Sequence, residues 1–328
     1  NHKSYKMKNK QKNQSSRKSG LPFFYGWLIV FICALGFFFS GPGQTYSISV
    51  FIDSFINYLG LTRLVISTYY SIGTLLAGLV VIFISRRIDY IGHRKMITIT
   101  AITFGGVCLF MSFIVHPVML FIGFFLIRLV GQSLMTIGPS TLIPHWFEKK
   151  RGRALSLMSI GGIIGAALLP ILNTWMINGW GWRVGWRFWA LSIWFVMVPL
   201  AWFLISDNPK EMGLKANGVI TNTDSDFEAL RNKSENSLPS LSLKEASLTT
   251  SFWLLIYIVF MPSMVITGIT FHIVSIFSVR GLSAEIAAST LSIMAIVSLP
   301  SALFAGFLLD KIKIRYVLIA VHIFYLIT

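Results

Sequence analysis

The sequence predicts an all-α membrane protein assembled from two similar helical bundles, and three observations carry that prediction. Hydrophobic residues make up 55% of the 328-residue chain and charged residues only 12%, a balance foreign to soluble domains of this length. The apolar residues gather into stretches long enough to cross, or begin to cross, a hydrocarbon layer about 30 Å thick at about 1.5 Å per residue. Residues 60–96 also recur without a gap at 281–317, so that Gly60-Leu61-Thr62 is echoed by Gly281-Leu282-Ser283, and Asp89 and Arg94 by Asp310 and Arg315. Each copy runs from a polar loop through an apolar helix into a basic loop with one acid, so the repeated unit is a structural one.

In chain order, residues 1–23 form a basic tail (Lys3, Lys6, Lys8, Lys10, Lys12, Arg17, Lys18) that reads as an anchor on anionic lipids. Spans are expected near Trp27–Phe55, Ile66–Ser85, Met96–Val115, Val118–Phe147, Ala154–Ile177 and Trp186–Ile205, which make 24–205 one six-helix bundle. Residues 206–248 are polar and rich in Asn, Ser, Thr and Lys, and read as a linker loop with one short amphipathic helix around Asp226–Lys233. Further spans near Phe252–Val279, Ala284–Leu309 and Tyr316–Thr328 place the start of a second bundle in 249–328, truncated in this chain inside its third helix.

The net charge of +16 invites a nucleic-acid reading, but its distribution argues against one. Arg86, Arg87, Arg94, Lys95, Lys149, Lys150, Arg151, Arg153, Lys311, Lys313 and Arg315 fall on one side of the alternating spans; only Arg63, Arg183, Arg187 and Arg280 fall on the other. The richer side is therefore expected to be cytoplasmic, with the N-terminus on it and the protein in the plasma (cell inner) membrane. Cys33 and Cys108 both lie within spans and point to neither a disulfide framework nor a metal site. No cofactor is expected, and no nucleophile-elbow, zinc or phosphate-loop pattern suggests an enzyme.

Ser40-Gly41-Pro42-Gly43-Gln44-Thr45 is expected to interrupt the first span, and Met261-Pro262-Ser263 the seventh, at nearly equivalent points of the repeat. Broken helices in matching places of two halves mark a binding region. Arg128 lies about ten residues into the fourth span, where an unpaired cation costs at least about 2.5–3.5 kcal/mol. A buried acceptor, a watery cavity or an anion must offset that cost. Asp53, near one end of the first span, is the only acid inside a span away from loops, so the expected cavity is cationic. Gln44, Thr45 and Tyr46 after the break, with Gln132 and Asn173, are candidate hydrogen-bonding partners for a carboxylate, and His272 is a candidate for titration near neutral pH. Hydrogen bonds between helices are the plain alternative for each. Gly161, Gly162 and Gly165 thin one side of the fifth span so that another helix can approach.

The segment "SRRIDYIGHRK" resembles the loop signature G-x-x-x-D-R-x-G-R-R of the major facilitator superfamily, with Asp89, Gly92 and Arg94 in place and Ser85 and Tyr90 departing from it. "GFLLDKIKIRY" is a second copy that supplies Gly306, Asp310, Lys311 and Arg315, with Lys313 where glycine is expected. A finer resemblance, to the monocarboxylate transporter and oxalate/formate antiporter branch, rests on "YGW" at 25–27, "HWFEKKRGRALSLMSIGGIIGAALLP" and "DNPKEMGLKANG". The resemblance implies the major facilitator fold, two six-helix bundles related by a pseudo-two-fold axis, with Asp89, Arg94, Asp310 and Arg315 gating the cytoplasmic side.

It also implies a secondary transporter of a small organic anion, most simply a monocarboxylate, working by alternating access with proton symport or exchange for a counter-anion. Arg128, Gln44, Tyr46, Gln132, Asn173 and His272 would then touch substrate. The eighth span contains no basic residue of the kind that branch often places there, which disfavours a dianion such as oxalate. A drug or metabolite exporter of the same fold and a non-transporting sensor or scaffold are the rival readings.

Overall fold

A computed structural model describes residues 25–85, 87–147, 151–207, 209 and 243–311, except for the side chains of 88, 89, 243, 244, 259 and 302–311. The described residues are almost wholly helical, and eight of the helices are long and apolar enough to cross a membrane. The ninth expected span, Tyr316–Thr328, the basic tail and the helix expected at Asp226–Lys233 lie outside the described residues. Within the expected linker a short helix, Leu243–Ser247, is described.

The first span is helical over Gly26–Phe39, turns through a 3-10 segment at Gly41–Gly43, and resumes in short pieces from Thr45 to Leu59. Pro42 lacks a backbone N–H and sits between two glycines, so helix continuation is both chemically and entropically disfavoured there. The second span, Arg63–Ser85, buries a narrow stripe of Ile66, Tyr70, Gly73 and Ala77, a spacing that places all four on one helix face. Its other faces expose Leu75, Leu79 and Phe83, as a lipid-facing surface does.

The third span runs His93–Ser112, the fifth Arg151–Trp180, and the fourth and sixth are compound. The fourth is α-helical at Pro117–Leu126 and Met135–Trp146 with a π-helical segment at Ile127–Leu134 between them. The sixth carries a second π segment at Ile193–Met197.

The first span packs chiefly on the fifth and fourth, the third on the sixth, and the second on the fourth. A Cβ added to Gly161 would overlap the carbonyl oxygen of Ala34, and one on Gly165 would stand 3.2 Å from the Tyr46 hydroxyl. The fifth span therefore lies directly against the backbone of the first, an approach that small residues permit and larger ones prevent. Gly162 is looser, its nearest neighbour being Phe37 at 3.4 Å.

The seventh span, Thr250–Val279, is one continuous helix through Pro262, which corrects the expectation of a break at 261–263. Pro262 removes one backbone hydrogen bond, but unlike Pro42 it has no flanking glycines, and a single proline inside a membrane helix is tolerated. The eighth helix runs Ala284–Lys311. The repeat is visible in the turns: Gly60 and Gly281, at matching positions, both take positive φ (64° and 75°) before the second and eighth helices begin, the left-handed conformation that glycine adopts without steric cost.

By contacts, the spans from Gly26 to Leu204 group with residues 271–299 into one compact unit, and residues 250–270 and 300–311 belong to another. The core of the first is aromatic and aliphatic, with Trp146, Trp186, Trp189, Phe51, Phe55, Phe104 and Phe124 among its largest fully buried side chains.

Candidate functional site

The break in the first span and the π segment of the fourth are built to meet. A Cβ on Gly43 would stand 2.8 Å from Gly131 Cα and 2.9 Å from the Gln132 nitrogen, so the two backbones touch where each is irregular. π segments mark functional positions more often than chance. Here the π turn carries Arg128, Gly131 and Gln132, while the break delivers Gln44 and Thr45.

Arg128 is 5% exposed. Its Nη1 donates to Thr45 Oγ1 at 3.3 Å, its guanidinium lies 5.1 Å from the centre of the Tyr70 ring, and its Nε has no hydrogen-bond partner among the described residues. The hydroxyls of Thr45 and Tyr70 share a hydrogen bond of 2.9 Å. Among the described residues no carboxylate pairs with Arg128. Asp53, the acid expected inside a span, is instead engaged by Arg63. A buried guanidinium that meets a hydroxyl and an aromatic face keeps its full charge and most of its donors for another acceptor.

Further along the same π segment, Gln132 and Ser133 line a cavity of about 450 Å³ together with Phe37, Gln44, Thr136, Ile137 and Ser140. Three of its hydroxyls donate to backbone carbonyls of their own helix: Ser133 to Arg128 at 3.1 Å, Thr136 to Gln132 at 2.7 Å and Ser140 to Ile137 at 3.0 Å. With their protons committed, these oxygens turn lone pairs outward. Gln44 Nε2 donates to Ser40 Oγ at 3.2 Å, which holds the amide at the break.

Of the expected substrate contacts, the structure brings Gln44 and Gln132 to this cavity; Arg128 shares the π segment of Gln132 but is not among the residues that line it. The others sit elsewhere. The Tyr46 hydroxyl lies under Gly165 of the fifth span. Asn173 is fully buried, its Nδ2 donating to Ser47 Oγ at 2.8 Å and its Oδ1 accepting from Trp189 Nε1 at 2.7 Å, so both ends of the amide are used in joining the first, fifth and sixth spans. His272 is half-buried with its ring at the edge of Phe271, 5.1 Å between centroids.

The sequence alone does not single out Tyr70. It is 4% exposed, takes Phe124 edge-on at 5.5 Å, and stacks on Phe271 with centroids 4.4 Å apart and planes inclined by 29°. The only sequence signal for it is its place on the buried stripe of the second span.

On the basic rim, the Asp207 carboxylate accepts from the Arg94 backbone N–H at 2.6 Å, at the first turn of the third span, and the Arg94 guanidinium lies 4.9 Å from the Trp202 ring centre. A carboxylate at a helix start meets free N–H groups and the positive end of the macrodipole. The sequence pattern assigns an acid to this rim, but Asp207 is a residue it did not point to. The side chains of Asp89 and Asp310, and Arg315 altogether, lie outside the described residues. The end of the sixth span is further tied down by Tyr25, whose hydroxyl donates to the Leu204 carbonyl at 2.7 Å, and by Trp146, whose indole N–H donates to the Ser206 carbonyl at 3.0 Å.

Among the described residues, eight helices long and apolar enough to cross a membrane, with exposed apolar outer surfaces, define a multi-pass integral membrane protein. The chain belongs to the Major Facilitator Superfamily, whose sequence model matches residues 26–328. Among curated proteins it is similar to an efflux pump, radE, of Floropilus chiversii, at 32% identity over 81 residues, which is 25% of this chain and 15% of the pump.

Among solved structures it resembles a bacterial homolog of the human lysosomal transporter Spinster, in an inward-facing and unoccupied conformation, with a TM-score of 0.66 at 16% identity. That match covers 90% of this chain and 64% of that one. A D-xylose–proton symporter follows at TM-score 0.56 and 17% identity, over 88% of this chain and 70% of its own. The chain thus spans a small part of the pump and just under two thirds of the Spinster homolog. At these identities the two structures carry the fold alone.

Proposed function

We propose that this protein is a secondary active transporter that moves a small organic anion, a monocarboxylate in the first instance, by alternating access, either with a proton or in exchange for a second anion. The observation that carries the reading is Arg128: a buried guanidinium with no carboxylate partner among the described residues, on the same π segment as the cavity-lining Gln132 and Ser133 and at the junction of two helical irregularities. A carboxylate there supplies charge-assisted hydrogen bonds that Thr45 and Tyr70 do not. The cavity of about 450 Å³ admits a small acid with room to spare, and its outward lone pairs suit a ligand that also carries a hydroxyl. The basic rim is assigned to the cytoplasm, with the N-terminus on the same side, in the plasma (cell inner) membrane.

The likeness to an efflux pump over 81 residues supports a second reading, an exporter of metabolites or drugs. Uptake of labelled acetate, pyruvate and L-lactate into proteoliposomes, beside efflux of the apolar cation tetraphenylphosphonium, separates the two. The anion reading expects saturable uptake of at least one acid, competed by the others. Tetraphenylphosphonium transport with no acid uptake would establish the exporter instead.

A further inference from the structure

Three features outside the assigned cavity merit weight: the apolar groove between the first and fifth spans, the Asn178–Glu285 contact, and the aromatic group around Tyr70. The groove, lined among others by Trp27, Phe31, Phe38 and Ile164, has nothing beside it to say what covers it. Asn178 Nδ2 donates to Glu285 Oε1 at 2.7 Å, an exposed contact with no link to the site. The aromatic group is different, because it touches the cation and the seventh helix at once.

We propose that Tyr70 is the positioning residue of the anion site, holding Arg128 when no anion is bound and relaying the state of that cation to the seventh helix through Phe271. This rests on the reading of Arg128 as the anion ligand. Among the described residues Tyr70 alone has its ring under the guanidinium, its hydroxyl on the same Thr45 oxygen that Arg128 donates to, and its ring stacked on Phe271. All three partners are fixed: Arg128 and Phe271 are each 5% exposed, and Thr45 sits at the end of the Gly41–Gly43 turn.

The relay follows from unequal bond strengths. Arg128 reaches Thr45 at 3.3 Å, long for a neutral acceptor, whereas a carboxylate offers shorter and stronger charge-assisted bonds, often two in parallel. An arriving anion therefore draws the guanidinium away from Thr45 and from the Tyr70 ring. Tyr70 then loses the cation over its face and one partner of its hydroxyl network, and its stack on Phe271 is no longer braced from the site. Two packings of the second span against residues around Phe271, biased in opposite senses by the free and the occupied cation, are what population shift requires.

The test is pyruvate uptake and counterflow by the full-length protein in proteoliposomes, with Tyr70→Phe, Thr45→Val, Phe271→Leu and Arg128→Gln compared. Tyr70→Phe keeps the ring and removes the hydroxyl. It is expected to lower the KM for pyruvate about five- to tenfold, because the hydrogen bond it removes braces the cation only while no anion is bound and otherwise competes with the anion, with maximal rate changed less than twofold.

Thr45→Val breaks the same link from the other side and should reproduce that shift, which keeps the proposal testable if Tyr70→Phe folds poorly. Phe271→Leu should leave KM within twofold and change the counterflow rate several-fold. In the Arg128→Gln background, Tyr70→Phe should add nothing. A KM within twofold of wild type for both Tyr70→Phe and Thr45→Val, while Arg128→Gln raises it about ten- to a hundredfold, overturns the role of Tyr70 and leaves the anion site standing. Full pyruvate uptake by Arg128→Gln overturns both.

Discussion

Replacing Gly43 by alanine tests whether the junction of the broken first span and the π segment of the fourth is the frame of the site. The added Cβ would stand 2.8 Å from Gly131 Cα and 2.9 Å from the Gln132 nitrogen. Carbon atoms rest at about 3.5 Å or more, so one backbone must retreat by about 0.7 Å, and neither neighbour is a side chain that can rotate aside. Overpacking of this kind costs about 1–3 kcal/mol.

The displacement falls on Gln44 and Thr45 on one side and Gln132 on the other, so the loss should appear in substrate affinity as well as stability. We expect a clear fall in melting temperature, by fluorescence-detected size exclusion after heating, and a pyruvate KM raised at least tenfold. Gly106→Ala, at a position with open space around its Cβ, is the control and should change neither. A Gly43→Ala protein with wild-type melting and wild-type KM would refute the reasoning about this junction.

Gly161→Ala would drive a Cβ into the Ala34 carbonyl, and the first and fifth spans should separate at a cost of about 1–3 kcal/mol; thermal melting should fall well below that of Gly162→Ala, whose neighbour Phe37 can yield. Asn173→Leu strips hydrogen bonds from Ser47 and Trp189; it should destabilise by about 1–3 kcal/mol while leaving the pyruvate KM of the surviving protein unchanged, which distinguishes a brace from a ligand. Asp207→Ala removes the acceptor at the start of the third span and should cost about 0.5–2 kcal/mol of stability, most of it restored by Asp207→Asn, in side-by-side thermal melts.

Much of the scaffold was legible because membrane helices announce themselves by length and apolar content, and because Gly41-Pro42-Gly43 combines a lost donor with two flexible residues. The same logic misled at Pro262, where proline alone did not suffice to end a helix. Arg128 stood out because a cation deep in an apolar run has few explanations. Its setting did not. The π segment at Ile127–Leu134 has no compositional mark, and Gly131, where it meets Gly43, lies inside it.

Tyr70 and Phe271 are aromatic residues in helices full of them, and only their meeting across 201 positions of sequence gives them meaning. Asp207 and Arg94, 113 residues apart, were each readable as loop charges, but not as partners. Asn173 illustrates the converse: a polar residue in a span invites a substrate role, and its two buried hydrogen bonds assign it to packing.

Arg128 is the proposed ligand of the anion. The most direct measurement is pyruvate counterflow in proteoliposomes for wild type, Arg128→Lys and Arg128→Gln at matched protein levels, with melting curves to confirm folding. Loss of a charge-assisted contact worth about 1.5–3 kcal/mol predicts apparent affinity about ten- to a hundredfold weaker in Arg128→Gln, with Arg128→Lys between the two. Counterflow by Arg128→Gln equal to wild type would contradict the account.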